Sequence, residues 1–270
     1  MNHLPYSLSF CFRFNLHKRT GFLIEDTDIK VLSGMYGVRK KELRYVSREF
    51  SEILDKIAEQ IRIDFPGPEN SKETRLLCIG DSITSDRLSY ANIIKTVWKN
   101  TPSKSVIDAG ISGDTTSDLI DRHYSNGLNL DFTAASIFIG TNDARGHKDG
   151  TAITNTGRME YERNLEYLIT TIMEKGKSVI NITIPPVDNV RLNTFFGNEA
   201  NYFYRKSMID EINDVIRRLS KKHGTHLADF AKVIAEQEID VLDVDGIHLN
   251  IKGNESAARL VLGLMNEGSR

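Results

Sequence analysis

The spacing of apolar positions changes character along the chain. Leu8, Phe10, Phe12, Phe14 and Leu16 alternate with Ser9, Cys11, Arg13 and Asn15. A two-residue period is that of a strand with one buried face, so the spacing predicts an opening β-strand. Residues 18–21 read as a turn, and Phe22, Leu23 and Ile24 as its hairpin partner. From about Lys40 to Ile63 the recurrence lengthens to three or four residues, through Leu43, Val46, Phe50, Ile53, Leu54, Ile57 and Ile61. That period predicts an amphipathic helix, with Arg39, Lys40, Lys41 and Arg44 as its solvated end. Pro66, Gly67 and Pro68 cannot continue a helix. A boundary is therefore expected near residue 70, between an N-terminal extension (1–70) and a second unit (71–270).

Beyond that boundary short apolar runs alternate with helical periods. Residues 75–79, 106–109, 136–139, 179–184 and 226–230 read as buried strands, each bounded by Gly, Pro, Asp or Asn. Residues 89–99, 117–124, 161–175, 202–223 and 254–265 read as helices, with Gly176 and Gly224 as C-terminal stops. Strand then helix, five times over, predicts an α/β fold in which both faces of a parallel sheet are covered. Ligands bind such sheets outside the carboxyl ends of the strands, so the residues after each strand are the ones to inspect.

Composition narrows the function classes. Apolar residues make up 40% and charged residues 27% of the 270 positions, values of a folded, water-soluble chain. With 35 Lys and Arg against 37 Asp and Glu the formal charge is −2. No cationic surplus exists for a phosphate backbone or an acidic membrane surface, which argues against both partners. No stretch approaches the roughly 18 uninterrupted apolar residues of a bilayer span. Residues 8–12 are greasy, but no Lys or Arg precedes them and Arg13, His17, Lys18 and Arg19 follow at once, so no secretory signal is expected. Cys11 and Cys78 form no redox or zinc motif and read as buried free thiols, which favours a reducing, cytoplasmic compartment.

Chemistry concentrates in the turns. Gly80-Asp81-Ser82-Ile83 follows the first strand, Gly110-Ile111-Ser112-Gly113-Asp114 the second and Gly140-Thr141-Asn142-Asp143 the third, and Asp245-Gly246-Ile247-His248 stands near the C-terminus. Each piece alone has a bland reading, Ser82 as a helix N-cap and Asn142 as a turn residue. Together they supply what acyl transfer to a serine requires. A serine hydroxyl needs an imidazole to take its proton, and the imidazole needs a carboxylate to fix its tautomer. Asp245, three residues before His248, can reach one ring nitrogen while the other faces Ser82. The oxyanion of the tetrahedral intermediate needs donors, each worth on the order of 3 kcal/mol. Candidates are the backbone N–H groups of Ser82 and Gly113 and the side-chain amide of Asn142. Asp81, Asp114 and Asp143 adjoin these donors and are expected to make turn-stabilising bonds while pointing away from the oxyanion.

At these four ordered blocks the chain resembles the SGNH hydrolases, also called GDSL esterases and lipases, with Ile83 in place of the usual leucine. The resemblance spans about residues 74–268. It implies a three-layer, flavodoxin-like fold on about five parallel strands, and metal-independent ester hydrolysis by Ser82, Asp245 and His248 with Ser82, Gly113 and Asn142 as the oxyanion hole. It implies no cofactor, and it says nothing about residues 1–70. The Gly-x-Ser-x-Gly elbow, the P-loop and the dinucleotide fingerprint are all absent from the sequence.

The expected substrate is a short acyl ester, acetyl above all, of a carbohydrate or another polar small molecule. The alternative is an acyltransferase or binding protein that uses the same site, with residues 1–63 docking a protein partner or a second copy of the chain. A plainer reading of 1–63 is an extension of the hydrolase core by a strand pair and a helix. Arg191, Phe195, Phe196, Tyr202, Phe203 and Tyr204 leave the sheet at the site edge, either as a substrate wall or as cover for the sheet. His147, Lys148 and Asp149 read as an exposed loop. His223 and His226 have a metal-like spacing, but one ends a helix and the other starts a strand, so no metal is assigned.

Overall fold

The computed structural model describes residues 6–20, 27–65, 73–122, 127–147, 153–197 and 202–267. A five-stranded parallel sheet forms the centre, built from β1 (Thr74–Gly80), β2 (Lys104–Asp108), β3 (Ala134–Phe138), β5 (Ser178–Ile182) and β7 (His226–Ala228) in the order β2-β1-β3-β5-β7. The five expected strands are all present, each shifted by a few residues. β1 and β3 are sunk in the interior, which is why they read as continuous apolar runs rather than as alternation. β1 pairs with β2 on one side and β3 on the other, with Cys78 opposite both Asp108 and Ser136. The chain moves outward from β1 to β2 and then crosses back to β3, so the carboxyl end of β1 is the switch point of the sheet.

Helices cover both faces. α5 (Tyr90–Val97) and α11 (Ile251–Glu267) pack on one, α7 (Arg158–Glu174) and α9 (Lys206–His223) on the other, and α6 (Thr116–Asp121) lies against α7. α3 (Lys40–Asp64) packs on α5 and carries Ala58 and Ile61 into the main core. Its 25 residues match the helix expected over 40–63.

The first apolar stretch corrects the sequence reading. Residues 8–13 lie in a helix, α1 (Tyr6–Arg13), followed by a 3-10 turn over Leu16–Thr20, and no strand forms there. The apolar residues at every second position satisfy the helix as two stripes. Positions i and i+4 share a helix face, while i+2 falls nearly opposite. Phe12, fully buried, and Leu8 pack with Leu32, Val38, Leu43 and Val46, a small second core between α1, α2 (Ile29–Tyr36) and α3. Phe10 and Phe14 form the opposite stripe, with ring centroids 4.6 Å apart. The hairpin partner assigned to Phe22–Ile24, the helix breakers Pro66, Gly67 and Pro68 and the end of the 117–124 helix lie outside the described residues.

A second departure involves Tyr202, Phe203 and Tyr204. They form a strand, β6, antiparallel to β4 (Arg145–His147), where a helix was expected to begin. His147 thus sits in a strand with Nε2 3.2 Å from Asn155 Oδ1, while Lys148 and Asp149 lie outside the described residues. The segment after β5 contains an eight-residue helix, α8 (Asn189–Phe196), whose N-cap Asp188 accepts from the N–H of Val190 and Arg191. Of the two thiols Cys78 is buried as expected, whereas Cys11 is half-buried.

Candidate active site

β1 ends at Gly80, and Asp81 caps the four-residue α4 (Ser82–Ser85) by accepting from the N–H of Ile83 at 2.9 Å. The turn lifts Ser82 out of the sheet at its switch point. Ser82 keeps 8% exposure, so its hydroxyl stands at the floor of a cleft rather than on the surface.

Asp245 and His248 come from the loop before α11. The carboxylate folds back on its own loop, Oδ1 accepting from the N–H of Ile247 and of His248, both at 3.0 Å. Oδ2 is then left to face His248 Nδ1 at 2.6 Å, and His248 Nε2 lies 2.8 Å from Ser82 Oγ. One line of hydrogen bonds thus joins groups 166 residues apart. Burial by itself would raise the Asp245 carboxyl, but the bond and charge of His248 and the two backbone donors outweigh it and hold the group at about 2. Gly246 makes the turn possible. Its φ of +73° favours glycine, and a side chain there would strike the carbonyl of Asp188, which ties this loop to the start of α8.

Asn142 and Gly113 arrive from the strands flanking β1. Asn142 Nδ2 donates to the carbonyl of Asp114 at 3.0 Å and lies 3.4 Å from Asp81 Oδ2. Its own carbonyl accepts from Asn155 at 3.0 Å. Gly113 has φ +85°, and the place where its side chain would stand is taken by the Arg19 guanidinium. The three neighbouring carboxylates are occupied. Asp143 accepts from the hydroxyl of Thr116 at 2.6 Å and from its N–H. Asp114 pairs with Arg122 at 2.6 Å, an ion pair where a turn bond was expected. Asp81 is pushed up to about 7, chiefly by burial, with the Ile83 N–H and the charge of His248 opposing. A carboxyl next to the oxyanion donors is therefore held towards its neutral form, so it opposes a developing negative charge less.

Ser82, Gly113, Asn142 and His248 line one cavity of about 140 Å³, together with Phe10, Phe14, Leu16, Arg19, Ser112, Arg145, Phe196, Tyr202, Tyr204 and Ile247. A larger hollow of about 610 Å³ runs between α10 (Phe230–Gln237) and α11 and contains none of the chemistry-bearing residues. Size therefore does not select the site; the hydrogen-bonded line does.

Sequence reasoning missed the contribution of the N-terminal segment. Phe14 lies over His248 with ring centroids 4.0 Å apart and planes at 31°, and Phe10 meets the same imidazole edge-on at 5.6 Å. The segment is anchored from both sides. Arg13 chelates Asp86 at 2.8–3.1 Å, reaches Asp243 and donates to the carbonyl of Leu249. Asn15 donates to the carbonyl of Ser85 at 2.7 Å, and the Ser112 hydroxyl donates to the carbonyl of Phe14. Of the aromatics after β5, Phe196 lines the cavity and Phe195 packs on Phe10 at 6.2 Å. Arg191 instead holds Asp240 and the carbonyl of Leu242. His223 contacts Glu166 at 2.6 Å, and His226 opens β7.

Fold and site together define an α/β ester hydrolase scaffold with its reactive groups at the sheet's switch point. The chain belongs to the GDSL-like lipase/acylhydrolase family, whose model matches residues 78–255 and so spans all four blocks. Among solved structures it is similar to a lipase/acylhydrolase from Enterococcus faecalis, at 26% identity and TM-score 0.58, covering 72% of this chain and 96% of the other. It also resembles the α/β hydrolase LAE5 from the metagenome of Lake Arreo, Spain, at 22% identity and TM-score 0.58, covering 74% and 98%. An acetylxylan esterase from Geobacillus stearothermophilus shares the fold at 21% identity and TM-score 0.56, covering 72% and 94%. No curated protein sequence matches the chain. Residues 1–70 lie outside the matched region. Among the described residues no helix is long and apolar enough to cross a membrane.

Proposed function

We propose that the protein hydrolyses short acyl esters, acetyl esters foremost, of a carbohydrate or similar polar alcohol through an acyl-serine intermediate on Ser82. The observation that carries this reading is the unbroken line Asp245–His248–Ser82 at 2.6 and 2.8 Å, opening into a cavity of about 140 Å³. His248 Nε2 takes the Ser82 proton as Oγ attacks the ester carbonyl, and Asp245 stabilises the imidazolium that forms. The N–H groups of Ser82 and Gly113 and the Asn142 amide receive the oxyanion. His248 then returns the proton to the departing alcohol, and a water activated by the same imidazole releases the acid. The aromatic walls Phe10, Phe14 and Phe196 favour a small acyl group, and the acetylxylan esterase neighbour supports a sugar as the alcohol.

A Ser82→Ala variant should lose essentially all turnover of a short-chain aryl acetate while keeping its circular dichroism spectrum. Retained turnover would refute the assignment. The screening of His248 by Phe10 and Phe14 favours one second reading, an acyltransferase that delivers the acyl group to an alcohol instead of water. Labelling of Ser82 by a fluorophosphonate probe without ester hydrolysis would select it.

A further inference from the structure

Two arginines face the cavity, and among the described residues neither forms an ion pair with a carboxylate, the Asp114 carboxyl that feels the charge of Arg19 being paired with Arg122. Arg19 is exposed at the rim, and its Nη1 donates to the carbonyl of Ser112 at 3.1 Å beside Gly113. A guanidinium carries five N–H donors, so one backbone bond leaves most of the fork unused. Arg145, in β4, lies over the ring of Tyr202 at 4.7 Å, and its buried Nε has no hydrogen-bond partner among the described residues. The nearby carboxylates are engaged elsewhere: Asp114 by Arg122, Asp143 by Thr116, and Asp81 by the Ile83 N–H.

We propose that the substrate's alcohol portion bears an anionic group, a carboxylate or sulfate, received by Arg19 and Arg145 at the mouth of the cavity while the acyl group lies against Ser82. The inference rests on the ester-hydrolase reading above and narrows its substrate class. A planar guanidinium matches the oxygens of such an anion in a way that an ammonium does not. Placement on the alcohol follows from exposure. Arg19 stands at the rim, whereas Phe10, Phe14 and Phe196 make the inner wall apolar, suited to an uncharged acyl group. Tyr202 holds one face of Arg145, so its unpartnered edge remains free to donate.

The test compares kcat/KM for 4-acetoxybenzoate, 4-acetoxybenzenesulfonate, neutral 4-acetoxybenzamide and monophenyl succinate, whose charge lies on the acyl side. Wild type, Arg19→Gln, Arg145→Gln and Arg19→Lys are assayed in parallel. The wild type should favour an anionic acetate over the neutral one by about tenfold, the scale of one charge-assisted hydrogen bond. Each Gln substitution should lower that ratio several-fold, Arg19→Lys should retain part of it, and added salt should compress it. The carboxylate and sulfonate arms show which anion is preferred. A wild-type ratio near one, a ratio unmoved by both Gln variants, or a preference confined to monophenyl succinate would overturn the proposal. Should no ester be turned over, calorimetric titration of 4-acetoxybenzoate into Ser82→Ala and Ser82→Ala/Arg19→Gln separates the two readings. Arginine-dependent binding would uphold the anion site while the hydrolase reading falls, and absence of binding would overturn the anion site as well.

Discussion

Two carboxylates close to the imidazole are held in opposite states, and pH separates them. Asp245, held at about 2, lies below the ordinary aspartate value of about 3.9. Its contribution to stability is therefore complete above about pH 4 and is lost as pH falls through 2. Asp81, pushed up to about 7, has the opposite sign: the folded state keeps a proton that the unfolded chain has released, so stability declines between about pH 4 and 7. An Asp81→Asn variant lacks that titration. Its unfolding free energy in urea, relative to wild type, should rise steadily from pH 4 to 7.5, and a flat difference would show that Asp81 titrates as an ordinary surface carboxylate. For Asp245→Asn the expected outcome is a kcat lower by ~10⁴-fold, because the amide favours the wrong tautomer of His248. A turn-stabilising bond from Asp81 was legible in its place beside Ser82, although the cap read for Ser82 falls on Asp81. Its raised value was not, since burial from neighbouring strands is no property of a four-residue block.

At the scale of elements, α1 shows how one pattern can serve two structures. Alternating apolar residues fit a strand with one wet face, and equally a helix pinned between two apolar surfaces. Here the second surface is the imidazole region on one side and the Leu32–Val46 cluster on the other. Local sequence cannot distinguish them, because the choice depends on what lies opposite. The same holds for Tyr202–Tyr204, whose partner β4 lies 55 residues earlier in the chain by the pairing of His147 with Tyr202, and 59 by that of Arg145 with Tyr204. Phe12→Ala should lower the unfolding free energy by about 3–5 kcal/mol in a urea titration, as expected for a fully buried aromatic. A loss below 1 kcal/mol would mean that α1 is not part of the cooperative unit.

Over the whole molecule, the N-terminal region enters both cores and the site. Ala58 and Ile61 belong to the main core, Arg62 donates to the carbonyl of Val97 at 3.0 Å, and Asp64 pairs with Arg259 at 2.5 Å. A chain starting at residue 71 should therefore melt at least about 10 °C below the full chain, a shift that a few kcal/mol produce in a protein of this size. It should also lose ester turnover, because Phe14 and Arg13 no longer hold the His248 loop. Equal melting temperatures by scanning calorimetry would show residues 1–70 to be a separate unit.

The parallel five-stranded scaffold and the four chemical blocks could be read along the chain because they depend on short-range signals. Buried strands are continuously apolar, turns need Gly, Asp or Asn, and Asp245 and His248 are close enough in sequence to share one loop. The meeting of Ser82 with His248, the aromatic roof over the imidazole and the convergence of Arg19 with Arg145 were decided by tertiary packing. Each joins segments whose separation along the chain carries no information about their distance in space, and only the packing of the folded chain brings them to one cavity.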